Sequence, residues 1–166
     1  MNDRYLYKGK IKGNLTGHEE LDWVIGKLIV EQSTGRHFII DLSHFDENTK
    51  LCDVVIEVDP STICQCTGLK DKNGMLIWEN DILMCHGNKK DLCKVCFGEF
   101  KVIDIENMVA VDIVQGWYYK PLETDGLSKC APFCYEMPLT NYYLERMEAE
   151  VIGSAIDNPE LLEVGE

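Results

Sequence analysis

Short runs of β-branched and aromatic residues, interrupted again and again by Gly, Asn and Asp, leave this chain few choices other than strands joined by turns. No long stretch before the C-terminal region carries a clean 3.6-residue apolar period, so helices are not the main building element. Strands are expected at residues 4–11, 23–31, 37–42 and 54–58. A second group is expected at 75–78, 82–85, 92–103 and 108–114, with 116–120 as a continuation. Ser33-Thr34-Gly35 reads as a hairpin turn. Asn73-Gly74 is the pair that best tolerates positive φ at both centres of a type I′ turn, and it should join a strand ending near Thr67 to one starting at Met75. Residues 121–138, broken at Gly126 and Pro132, read as an irregular excursion. Residues 141–149 suit a short helix. Asp157-Asn158-Pro159 looks like the start of a brief helical turn, with Pro159 where its missing N–H does no harm. The expected fold is mainly β, with small barrel-like or hairpin-rich sheets and a short C-terminal helix. The 166 residues fit a single domain, with a division into subdomains 1–66 and 67–166 left open.

Hydrophobic residues make up 45% of the chain and charged residues 27%, which is ordinary globular usage and argues against extensive disorder. The opening Met1-Asn2-Asp3-Arg4-Tyr5-Leu6-Tyr7 lacks the layout of an export signal. No apolar run approaches the roughly 18 residues needed to span a bilayer. A cytoplasmic location without membrane attachment is therefore expected. In that compartment the eight cysteines read as thiols or metal ligands rather than disulfides. Acidic residues outnumber basic ones 29 to 16, for a formal net charge of −13. Duplex binding needs a basic surface that displaces counterions from phosphate, so direct duplex DNA recognition is disfavoured. The same charge would steer the protein toward basic surfaces.

Two stretches carry a family resemblance. Thr67-Gly68-Leu69-Lys70-Asp71-Lys72-Asn73-Gly74-Met75-Leu76-Ile77-Trp78-Glu79-Asn80-Asp81-Ile82 resembles the YopX family signature of a TGLKDKNG turn followed by an aromatic residue and EGDI. Glu150-Val151-Ile152-Gly153-Ser154-Ala155-Ile156-Asp157-Asn158-Pro159-Glu160-Leu161-Leu162 resembles the closing EVIG and NPELL stretch of the same family. Tyr5 to Lys10 and Trp23 to Leu28 are similar to two earlier family stretches, while residues 91–143 are the least anchored part. The resemblance implies a mainly β fold, a phage or prophage origin in a bacterial host cell, and no established biochemical activity. Cys64-Gln65-Cys66 and Asn80 depart from the family pattern of Gly-Gln-Tyr and Gly. Asn tolerates left-handed backbone almost as Gly does, so the turn at Asn80 should survive. In physical terms Gly68, Gly74, Asp81, Gly153 and Pro159 are backbone-shaping residues of a scaffold, with Asp81 satisfying backbone N–H groups at a turn.

Among reactive groups, Cys93 and Cys96 have the C-x2-C spacing of a zinc site, and Cys130 and Cys134 could supply a second pair. Against this, residues 92–97 read as a strand, where side chains three apart point to opposite faces. Cys64 and Cys66 share one strand face and read as buried thiols. His18, His37, His44 and His86 show no paired ligand spacing. Asp41, His44 and Asp46 could form an acid–base group, but a turn between strands uses the same residue types. No nucleophile elbow, phosphate loop or dinucleotide fingerprint is present.

Trp117, Tyr118 and Tyr119 place aromatics on both faces of a strand, read either as core packing alone or as one face in the core and the other an exposed contact patch. The expectation is a non-catalytic phage or prophage accessory protein, an acidic β scaffold that binds another protein, from host or phage, to modulate a host process or defence system. The alternatives are a nucleic-acid-associated replication or regulatory module and, last, a zinc-dependent enzyme. No cofactor other than zinc is suggested. Exposed strand edges make a homo-oligomer a fair expectation.

Overall fold

A computed structural model describes residues 3–13, 23–41, 50, 54–104, 106–124 and 128–162, excepting the side chain of Arg4. The protein is mainly β, with eleven strands in two sheets among the described residues, one sheet curling into a half-barrel. The chain divides into two compact units, Met1–Gly68 and Leu69–Glu166.

In the first unit β1 (Tyr7–Lys10), β2 (Trp23–Glu31), β3 (Arg36–Asp41), β4 (Val55–Val58) and β5 (Cys64–Lys70) form antiparallel pairs in the order β4-β3-β2-β1-β5. The β2–β3 hairpin closes as its residues demand: Gly35 adopts φ +70°, its N–H donates to Glu31 O at 2.8 Å, and the Thr34 hydroxyl donates to the Glu31 carboxylate. Val24, Ile39 and Val58 form the core, with Tyr7, Ile11, Leu28, Ile56 and Ile63 packed against it. Cys64 and Cys66 alternate inward along β5 and are fully buried, where small thiols fill space that Gly and Tyr would fill differently.

β5 runs on past Gly68 to Lys70, and β6 (Leu76–Trp78) is hydrogen-bonded beside it after the turn at Asp71 to Gly74. This turn is not the expected type I′. Only Gly74 takes positive φ, at +82°, and Asn73 does not. Gly74 N–H donates to Asp71 O at 3.0 Å and Asp71 N–H to Met75 O at 2.9 Å, so the four residues form an ordinary turn followed by a left-handed glycine. The Asp71 carboxylate decides the outcome: Oδ1 accepts from the N–H groups of Asn73 and Met75, both at 2.9 Å, and Oδ2 from Val151 N–H at 3.1 Å. A side chain that satisfies three backbone donors outweighs the local preference of an Asn-Gly pair.

The second sheet has the order β10-β9-β8-β7-β11, from β7 (Asp81–Cys85), β8 (Asn88–Asp104), β9 (Val109–Pro121), β10 (Met137–Pro138) and β11 (Glu150–Ser154). The segment 116–120 continues the strand expected at 108–114, and Gly116 lies opposite Gly98 in an unbroken part of the ladder. Helix α1 (Asn141–Arg146) is capped by Thr140, whose Oγ1 accepts from Tyr143 N–H. It delivers Leu144 and Met147 to a core that also contains Ile77, Leu83, Val95, Tyr119 and Ala149. The residues at 157–162 make a single 3-10 turn, Pro159–Leu161. Asn158 does not cap it, because its Oδ1 instead accepts from Ser154 N–H at 3.3 Å across the space left by Gly153.

Candidate functional site

β8 and β9 pair from Cys93↔Pro121 to Asp104↔Val109, yet their neighbours in the sheet cover only one end. β7 pairs with β8 at Asn88 and Leu92 to Lys94, and β10 pairs with β9 at Tyr118 and Tyr119. Beyond Phe97 and Trp117 the two strands therefore continue as a ribbon with no third strand among the described residues. The same face that buries Val95 and Tyr119 in the core passes outward through the cross-strand pairs Phe97–Trp117, Glu99–Gln115 and Lys101–Ile113. Phe97 and Trp117 meet edge to face at 5.0 Å, and Phe97 is 48% exposed.

Farther out on this face Ile113 is 63% exposed, Val111 is 61% exposed at a bulge where the register shifts, and Val109, 52% exposed, lies beyond the bulge opposite Asp104 on the other face. Met108 beside them is also exposed. The opposite face carries Phe100 and Tyr118, stacked at 5.1 Å, with Phe100 buried. The ribbon tip is tied down. Asp104 accepts from Glu106 N–H at 2.9 Å and from the Asn107 side-chain amide at 2.6 Å, and Met108 takes φ +56° while its N–H donates to Asp104 O at 2.7 Å. Those bonds, led by the Asn107 side chain, hold the Asp104 carboxyl below its usual range. Glu99, Asp104, Glu106 and Asp112 flank the apolar residues against a single cation, Lys101.

Of the aromatic trio, Tyr119 belongs to the core, Trp117 packs against that core at the root of the ribbon, and Tyr118 faces the other side toward Cys96. Val109, Val111 and Ile113 were not singled out in the sequence. Their signal is the run Met108-Val109-Ala110-Val111-Asp112-Ile113-Val114, which is apolar at both parities. Such a strand must bury both faces or leave one of them unfilled.

The four zinc-spaced cysteines are not brought together. Cys93 is buried on the core face, Cys96 is half-buried on the other face, and Cys130 and Cys134 are exposed in turns, linked through Cys134 N–H to Cys130 O at 3.1 Å. Cys93 Sγ lies 3.7 Å from Cys85 Sγ, and Cys85 Sγ lies 3.8 Å from the Met147 sulfur. The neighbouring Cys85 thiol and burial push the Cys93 thiol well up, and burial pushes Cys96 up, so neither is primed as a thiolate. Among the described residues no group of three or more His, Cys, Asp or Glu could hold a metal ion.

Asp41 ends β3 half-buried, while His18, His44 and Asp46 lie outside the described residues. His37 Nδ1 sits 3.0 Å from Gly35 O in the hairpin turn. Asp81, 2% exposed, accepts from Trp78 N–H at 2.8 Å, and Asn80 takes the left-handed φ of +66°. Gly68, Gly74, Gly153 and Pro159 all sit at turns or strand irregularities. No described helix is long and apolar enough to cross a membrane.

The family model described as YopX protein matches residues 19–163. No curated protein matches the chain.

Proposed function

The chain belongs to the YopX protein family, and from that premise we propose that it is a non-catalytic accessory protein of a phage or prophage that binds another protein through the β8–β9 ribbon. The observation that carries this reading is the exposure of Val109, Val111 and Ile113 on a ribbon whose tip is held rigid by Asp104. Apolar side chains left uncovered on an ordered element are what an interface supplies before its partner arrives. A preorganised arm also loses little entropy on docking. The carboxylates around the stripe fit a partner whose apolar groove has a basic rim, and the net charge of −13 would speed the encounter.

The test compares the tagged protein with the double variant Val111→Lys/Ile113→Lys in affinity purification from a bacterial lysate. The expected result is one stoichiometric protein retained by the wild type and lost by the variant, with unchanged thermal melting. A partner retained equally by both, or recovery of nucleic acid alone, would refute the ribbon as the docking element.

A further inference from the structure

A cavity of about 550 Å3 opens in the second unit, away from the ribbon stripe, between β8, β9, α1 and the turns that follow residue 128. That volume is within the roughly 300–1,000 Å3 typical of small-molecule sites. Its walls are largely apolar and aromatic, including Leu92, Leu122, Phe133, Met137 and Tyr143. Tyr119 lines it while only 9% exposed, and its hydroxyl has no hydrogen-bond partner among the described residues. Among the described residues no buried side-chain polar atom lacks a partner, so the Tyr119 hydroxyl is open to the cavity, where water or a ligand can accept from it. Tyr143 meets the Tyr119 ring edge to face at 6.4 Å.

The charge of the lining is opposite to that of the whole chain. Lys90 and Arg146 are its two permanent cations, and its one carboxylate, Asp91, already accepts from His86 Nδ1 at 2.7 Å. Arg146 is steadied by its own bond to the Tyr142 hydroxyl at 3.2 Å, which leaves the rest of the guanidinium fork available. An apolar, ring-lined cavity with an idle phenolic donor inside and two cations at exposed positions is complementary to one chemical class.

We propose that this cavity binds a small aromatic acid, its rings among Leu92, Phe133 and Tyr143 and its anionic group within reach of Lys90, Arg146 and the Tyr119 hydroxyl. Burial raises the Tyr119 phenol above its ordinary value, so it stays protonated and donates across the physiological range. The inference does not depend on the ribbon reading, since the two sites share no residue.

The probe is 1-anilinonaphthalene-8-sulfonate, titrated into the full chain by fluorescence beside its uncharged analogue N-phenyl-1-naphthylamine. The expected result is saturable binding at one site, with the sulfonate favoured over the neutral probe. Lys90→Gln/Arg146→Gln, a change at exposed positions, should weaken the sulfonate about tenfold and the neutral probe little. Tyr119→Phe should weaken the sulfonate while leaving the melting temperature in place, and Leu122→Trp, which fills the space, should abolish both signals. The ribbon variant Val111→Lys/Ile113→Lys should bind both probes as the wild type does. Non-saturating fluorescence, equal affinity for the two probes, indifference to the Lys90 and Arg146 changes, or loss of binding in the ribbon variant would each overturn the proposal.

Discussion

Asp71 shows how one side chain can set a fold's local geometry. It is 7% exposed and its carboxylate accepts from three backbone N–H groups, one of them 80 residues away at Val151. Removing the acceptor leaves those donors unmet in a half-dry site, so Asp71→Ala should destabilise the protein by about 3 kcal/mol, and Asp71→Asn by less, in urea unfolding. A cost within experimental error for both would mean that water replaces the carboxylate without loss.

Glu57 offers a second test, this time of pH. Its carboxyl is held at about 2, chiefly by the hydrogen bonds from Arg36 at 2.6 Å and Lys12 at 3.2 Å. A folded value below the unfolded 4.5 means that the contribution is complete above pH 4.5 and disappears as pH falls toward about 2. Arg36 and Lys12 are exposed and Glu57 is only half-buried, which keeps the contribution small. Glu57→Gln should therefore flatten the acid limb of the stability curve between those two values and leave the neutral region almost unchanged. An identical acid limb would show that Glu57 is equally charged in the unfolded chain.

At the scale of elements, β2, β3, β4 and the turn at Gly35 were legible because each has a local cause, β-branched and aromatic runs and a glycine at φ +70°, whereas β10 and β11 were not expected as strands. The length of the β8–β9 hairpin was not legible either. Asn88, Lys89 and Lys90 open β8 without any apolar pattern, so its start four residues before the expected Leu92 carries no local signal. Nor was the cavity legible, since it is assembled from strands, a short helix and the turns after residue 128, whose spacing in sequence carries no signal.

The hairpin's outer half depends on Asp104, whose bonds to Glu106 N–H and the Asn107 amide close its tip. Asp104→Ala should leave the melting temperature nearly unchanged but accelerate amide hydrogen exchange at residues 108–113, because the tip would open locally without the core. Retained protection there would show that strand pairing alone keeps the ribbon in shape, and the case for Asp104 as its organiser would fall.

For the molecule as a whole, charge and apolar surface should divide the work of association in a way that can be measured. The net charge of −13 acts over a Debye length, about 10 Å at 0.1 M salt and about 3 Å at 1 M, whereas the exposed Val109, Val111 and Ile113 act only on contact. Long-range attraction accelerates encounter, and desolvated contacts hold the complex once it has formed. Once a partner is in hand, raising salt from 0.1 to 1 M should slow association by an order of magnitude or more and change dissociation by less than about threefold in surface plasmon resonance. Val111→Lys/Ile113→Lys should do the reverse, with fast dissociation and an association rate no slower than the wild type's salt dependence accounts for. Salt acting mainly on dissociation would mean that ion pairs, not the apolar stripe, hold the complex together, and the ribbon's carboxylates would then be its principal contacts.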